Sequence, residues 1–201
     1  MPDISFNPFK THGAPDGMFN VESRGLTQGD AQDDPAIRLQ LCSGTLKSTD
    51  PVWAGAGVIE CVSTADMNIA GSTILPASDK VCNAFTVSNQ AYHSIITPGN
   101  NVPLYVDGGS VHYFRIGSGA RIPLPVSAAV AALATGSEPV ASGGFVWNIA
   151  TNEVDVATVA GNPAISIKLL MVSPTGNLTV KKDASGAVVW ENDKPCGLFL
   201  I

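Results

Sequence analysis

Apolar and polar residues alternate along much of this chain with the period of a β-strand. Ile37, Leu39 and Leu41 alternate with Arg38 and Gln40, which predicts a strand with one wet face. Val52 to Val62 is apolar but interrupted by Gly55 and Gly57, the pattern of a strand that is bulged or closely approached. Short strands are expected around Ala84–Val87 and His93–Thr97. The run Leu104–Val106, the turn Asp107-Gly-Gly-Ser110 and the run Val111–Ile116 read as a hairpin, because glycine accepts positive φ without steric cost.

The last third carries the clearest pattern. Phe145, Trp147 and Ile149 share one strand face, Thr151-Asn152 turns, and Val154, Val156 and Val159 follow. Ile165, Ile167, Leu169 and Met171 alternate with Ser166 and Lys168. Leu178–Lys182 pairs with Ala187–Trp190 across Asp183-Ala-Ser-Gly186. The Ala-rich piece Ser127–Leu133 fits either one short helix or a strand, and the prolines before it favour the strand. The prediction is an all-β fold: an antiparallel β-sandwich or partly closed barrel of jelly-roll type, with an extended N-terminal arm.

Residues 1–35 form that arm, and residues 36–201 the β-rich domain. Pro2, Pro8, Pro15 and Pro35 punctuate the arm, and neither strand nor helix period persists in it. It nevertheless carries Ile4, Phe6, Phe9, Met18 and Phe19, large apolar residues that solvated tails avoid. Burying these five side chains supplies about 8–15 kcal/mol. Ordering about twenty backbone residues costs about 20–40 kcal/mol, so main-chain hydrogen bonds or a wide contact must add to them. The arm lies either on a partner or on its own domain. The ending Leu198-Phe-Leu-Ile201 belongs in a sheet or an interface, since it is costly to leave in water. Phe199 and Ile201 therefore join the five arm residues as candidate interface positions.

Composition sharpens the picture. Of 201 residues, 45% are hydrophobic and only 14% charged, against about 25% charged in ordinary domains. A chain this sparsely charged suits a subunit packed against neighbours. The net charge is −6, and Lys181-Lys182 is the only adjacent basic pair, which argues against direct nucleic-acid binding. The first residues lack a basic and then apolar leader, and no run reaches the roughly 18 apolar residues of a membrane span. Neither secretion nor membrane insertion is expected, and synthesis is placed in a reducing cytoplasm. Cys42, Cys61, Cys82 and Cys196 form no C-x-x-C pair and are expected as free, mostly buried thiols.

Candidate chemistry is thin. His12 lies in the arm, and His93 and His112 fall in separate predicted strands; His112 shares a face with Phe114 and Ile116, a core or interface setting. No zinc spacing, nucleophile elbow, Walker A or EF-hand pattern occurs, so neither cofactor nor metal is expected. The acid pairs Asp33-Asp34, Glu153 with Asp155, and Glu191 with Asp193 are the candidates for glycoside hydrolysis. The first lies in the arm; the others flank predicted turns, where acids face water. Trp147 reads as core, whereas Trp53 and Trp190 could together form a sugar platform.

The stretch Ala120-Arg-Ile-Pro-Leu-Pro-Val126, followed by Gly136-Ser-Glu-Pro-Val-Ala-Ser-Gly-Gly-Phe-Val-Trp147, resembles the small head proteins of tailed bacteriophages. The resemblance extends loosely over residues 100–201. It implies a non-enzymatic cement or decoration protein on the capsid exterior of the virion, bridging capsomers and resisting internal DNA pressure. Its implied partners are the major capsid protein and further copies of itself, as a dimer or trimer. A receptor- or glycan-binding module of a phage tail or fibre is the alternative, and an unrecognised hydrolase using His93 or His112 with an acid is the third.

Overall fold

In a computed structural model the chain is all-β. The structure describes residues 26–31, 35–62, 72–88, 102–134, 141–142, 144–157, 161–191 and 194–201. The arm residues Ile4, Phe6, Phe9, Met18 and Phe19, and the expected strand at His93–Thr97, lie outside them.

The first half contributes a helical turn α1 (Pro35–Arg38) and strands β1 (Cys42–Leu46), β2 (Val52–Trp53), β3 (Gly57–Cys61), β4 (Ser72–Pro76), β5 (Ala84–Thr86), β6 (Leu104–Tyr105) and β7 (Ser110–Arg115). The second half contributes β8 (Arg121–Pro125), the turn α2 (Ala128–Ala131), β9 (Ala141–Ser142), β10 (Phe145–Asn148) and β11 (Glu153–Val156). It continues with β12 (Ala164–Ile165), β13 (Lys168–Ser173), β14 (Thr179–Lys182), β15 (Val188–Glu191) and β16 (Cys196–Leu200).

Five strands close a barrel in the order β1-β4-β3-β5-β7. Four of its five seams are antiparallel; β1 and β4 run parallel, with Gly44 opposite Ser72 and Leu46 opposite Ile74. Around it lie a sheet β8-β16-β13-β9, a sheet β11-β10-β12 and the pairs β14-β15 and β2-β6.

Leu46, Val58, Ile74, Ala84, Val111 and Tyr113 belong to one core cluster, which Trp53, Val180 and Val188 complete. Phe85 and Phe114, from the same barrel strands, point the other way into a second cluster with Ile122, Leu124, Trp147, Ile167 and Phe199. The wall made by β5 and β7 is thus buried on both faces, and near-continuous apolar stretches result rather than clean alternation.

Several expectations need correcting. The predicted strand at Ile37–Leu41 is the turn α1 and its exit, leaving Leu39 90% exposed; the Pro at its start suits the first turn of a helix. Among the described residues the first strand begins at Cys42. Leu104–Val106 and Val111–Ile116 do flank a turn at Asp107–Gly109, but they do not pair. Leu46 O accepts from Gly108 N and Leu46 N donates to Gly109 O, β7 pairs with β1 and β5, and β6 pairs with β2. The Ala-rich piece is helical, because Ser127 caps it: its hydroxyl accepts from Val130 N at 3.3 Å.

Other expectations match. β10 and β11 form the hairpin through Asn152, which adopts a left-handed φ of 54°. β14 and β15 pair as expected, with Asp183 Oδ1 accepting from Ser185 N and Ala187 N. The Ile165–Met171 pattern holds as far as Leu169. There a register shift between Leu169 and Met171 breaks the alternation, and Met171 stands 48% exposed. The single strand expected over Val52–Val62 is instead two, β2 and β3, in different sheets with a turn between them; only the close approach expected at its glycines is met. Gly55 turns at φ +74°, and a Cβ on Gly57 would lie 2.7 Å from Trp147 Nε1 and 2.8 Å from Cys82 Sγ. All four cysteines are free, Cys82 and Cys196 buried and Cys42 and Cys61 half-buried.

Candidate functional site

The described part of the expected arm, Leu26–Ala31, packs on its own chain. Gln28 N donates to Leu178 O, Gln28 Oε1 accepts from Val180 N at 2.8 Å, and Asn177 Oδ1 accepts from Leu26 N. The C-terminal candidates do so too. Phe199 is fully buried in β16, edge-on to Phe145 at 5.7 Å, and Ile201 is 4% exposed while its backbone bonds Ala120 and Gly119. Both side chains fill the core of their own chain and offer nothing to a partner. The apolar terminus is tucked into a sheet, the first of the two places open to it.

The acids are the larger departure. Glu153 and Asp155, expected to face water, are 8% and 9% exposed on β11. Burial demands partners, and both have them. Glu153 pairs with Lys194 and accepts from Thr151 Oγ1 at 2.9 Å. Asp155 accepts from Ser127 Oγ at 2.7 Å and from Val156 N at 2.8 Å. Ser127 therefore both caps α2 and ties it to β11. Glu191 pairs with Lys181 at the surface at 2.7 Å. Asp33, Asp34 and Asp193 lie outside the described residues.

One polar cluster had no sequence signal. Glu60, on β3, meets residues from β4 and β7, which only barrel closure brings together. Its Oε1 accepts from Ser72 Oγ at 2.6 Å, Tyr113 Oη at 2.7 Å and Arg115 Nη2 at 2.6 Å, while Oε2 accepts from Arg115 Nε at 2.5 Å. The bidentate Arg115 pair, helped by the two hydroxyls and opposed by burial, holds the Glu60 carboxyl down at about 2. Burial, reinforced by Glu60, pushes the Tyr113 hydroxyl up to about 12. A carboxylate so fully occupied cannot serve as a base near neutral pH. It is a clasp across three barrel strands.

His112 is half-buried on β7, on the face of Phe114, and burial lowers its pKa; His12 and His93 lie outside the described residues. Among the described residues, no three His, Cys, Asp or Glu side chains gather as metal ligands. Burial pushes the Cys82 and Cys196 thiols up to about 12, far from thiolate reactivity.

The aromatic residues frame a cavity of about 160 Å³ where four sheets converge. Trp53, Trp147, Pro51 and Pro76 supply its apolar walls, and Asp50, Asn152 and Lys182 its polar lining. Trp147 is core as expected, edge-on to Phe85 at 5.3 Å. Trp53 is only 2% exposed, so it and the half-buried Trp190 present no shared open platform for a sugar. Its indole Nε1 is buried without a hydrogen-bond partner.

Compared with known protein families, curated proteins and solved structures, the chain matches none of them.

Proposed function

We propose that this protein is a non-enzymatic structural subunit of a phage virion, a capsid cement or decoration protein that binds and stabilises the assembled head from outside. The observation that carries this reading is where polar and apolar groups are used. The half-buried Glu60 and the buried Glu153 and Asp155 all have structural partners, whereas Leu39, Val62 and Met171 stand 90%, 95% and 48% exposed. A subunit covered by neighbours would use its acids within its own chain and gain by burying such exposed aliphatic side chains against the shell. The likeness of residues 120–147 to phage head proteins supplies the partner, the major capsid protein.

Each copy need bind only modestly. A dimer or trimer spanning adjacent capsomers multiplies weak contacts through effective concentration. Because it binds the assembled shell and not free subunits, it stabilises the shell by mass action. The test is to mix purified full-length protein with bare expanded heads. Co-sedimentation with the heads and a rise in their melting temperature are expected. Protein that stays in the supernatant and heads that melt unchanged would remove the proposal.

A further inference from the structure

We propose that residues 26–31 are a latch that holds the β14–β15 hairpin on the barrel as a lid, so that latch and lid open together while the barrel stays closed. The inference is independent of the capsid reading and starts from how the hairpin is attached. β14 and β15 pair only with each other. Among the described residues, the hydrogen bonds that leave the stretch 178–191 run to the latch. Leu178 N donates to Leu26 O, Leu178 O accepts from Gln28 N, and Val180 N donates to Gln28 Oε1 at 2.8 Å. The rest of the attachment is apolar. Val180 and Val188 join the core cluster of Leu46, Trp53 and Tyr113, and the half-buried Trp190 packs against it.

The latch is in turn anchored to the body of the molecule. Gly29 N donates to Pro123 O on β8, Gly29 O accepts from Ser88 N beyond β5, and Gln28 Nε2 donates to Gly55 O at 3.3 Å. Gln28 is the joint: a 1% exposed amide whose nitrogen grips the turn between β2 and β3 and whose oxygen grips β14. The fit is close from both sides. A Cβ on Gly29, whose φ is +73°, would lie 2.5 Å from Ala54 C, and one on Gly55 would lie 2.5 Å from Gln28 Cγ. Once the latch leaves this slot, the hairpin keeps its internal pairing and loses those hydrogen bonds to the latch. A short unit held only by a few apolar side chains opens well below the free energy of global unfolding. Lys182, at the end of β14, lines the cavity beside Trp53, so the opening also takes away part of that cavity's wall.

The experiment is hydrogen exchange of the full-length protein, read by mass spectrometry in rising urea below the unfolding transition. The stretches 26–31 and 178–191 are expected to share one free energy of opening, lower than that of β1, β3 and β7. Gln28→Met keeps the side chain's volume and removes both of its hydrogen bonds. It should speed exchange in both stretches about 5- to 100-fold and leave the barrel strands unchanged. Gly29→Ala drives the latch from its slot by steric contact and should act in the same way, which keeps the test sound if Gln28→Met folds poorly. Exchange of the hairpin at a different free energy from the latch, or of both only together with the barrel, would overturn the proposal. So would a folded variant that leaves the hairpin's exchange unchanged or speeds that of the barrel equally.

Discussion

Gly57 and Glu60 sit three residues apart on β3 and depend on opposite things, one on having no side chain and the other on having both oxygens of its carboxylate engaged. Gly57→Ala would drive a methyl group against Trp147 Nε1 and Cys82 Sγ, both in the buried core. It should cost about 1–3 kcal/mol in denaturant unfolding, because two packed elements must part to admit it. Glu60 makes stability depend on acid. Its carboxyl titrates at about 2 when folded against 4.5 ordinarily, so its contribution is complete above 4.5 and lost as pH falls from there through 2. Melting temperature followed across that window should fall, and Glu60→Gln should flatten the fall while lowering stability near neutral pH by about 1–3 kcal/mol. Gly57 was legible in the sequence as an interruption in an apolar run. Glu60 was not, since its partners Ser72, Tyr113 and Arg115 are 12, 53 and 55 residues away.

Whole elements were legible wherever their turns are local. The hairpin β10–β11 turns at Asn152 and β14–β15 at Asp183, so the residues that make each turn lie between the strands that it joins. The same logic misled at Asp107–Gly109, where the turn is real but Leu46 captures its backbone and the flanking runs go to different sheets. It fell short at β13, because a bulge changes which face a residue meets without changing its type. That bulge gives a direct contrast: Leu169→Ala should cost about 2–5 kcal/mol and Met171→Ala less than about 0.5, measured by urea denaturation, although the two residues are of similar size and lie on one strand. At α2, Ser127→Ala removes both the cap and the hydroxyl that Asp155 accepts from. A loss of about 0.5–2 kcal/mol is expected in the same assay.

Across the molecule, the all-β class could be read from alternation and turn chemistry, but the sheet order could not. The closed barrel exists because β7 returns to β1 and because β4 lies parallel to it, and neither pairing leaves a mark in the residues nearby. Since β5 and β7 each feed both core clusters, neither core can be lost while the other stands. Thermal unfolding should accordingly be one transition, with near- and far-ultraviolet circular dichroism coinciding. Two separated transitions would show that the shared wall does not couple them.

The position of β16 also governs how the protein comes into being. It is the central partner of β8 and β13, and its Cys196 Sγ donates to Leu124 O across 72 residues of intervening chain. Phe199 and Ile201, which help fill the larger core, are made after the strands β1–β15. While a ribosome still holds these residues in its exit tunnel, the strands already outside have an unfilled slot between β8 and β13. Nascent chains therefore pass through a stage with open sheet edges and bare aromatic surface, when chaperones matter most and crowded neighbours are most dangerous.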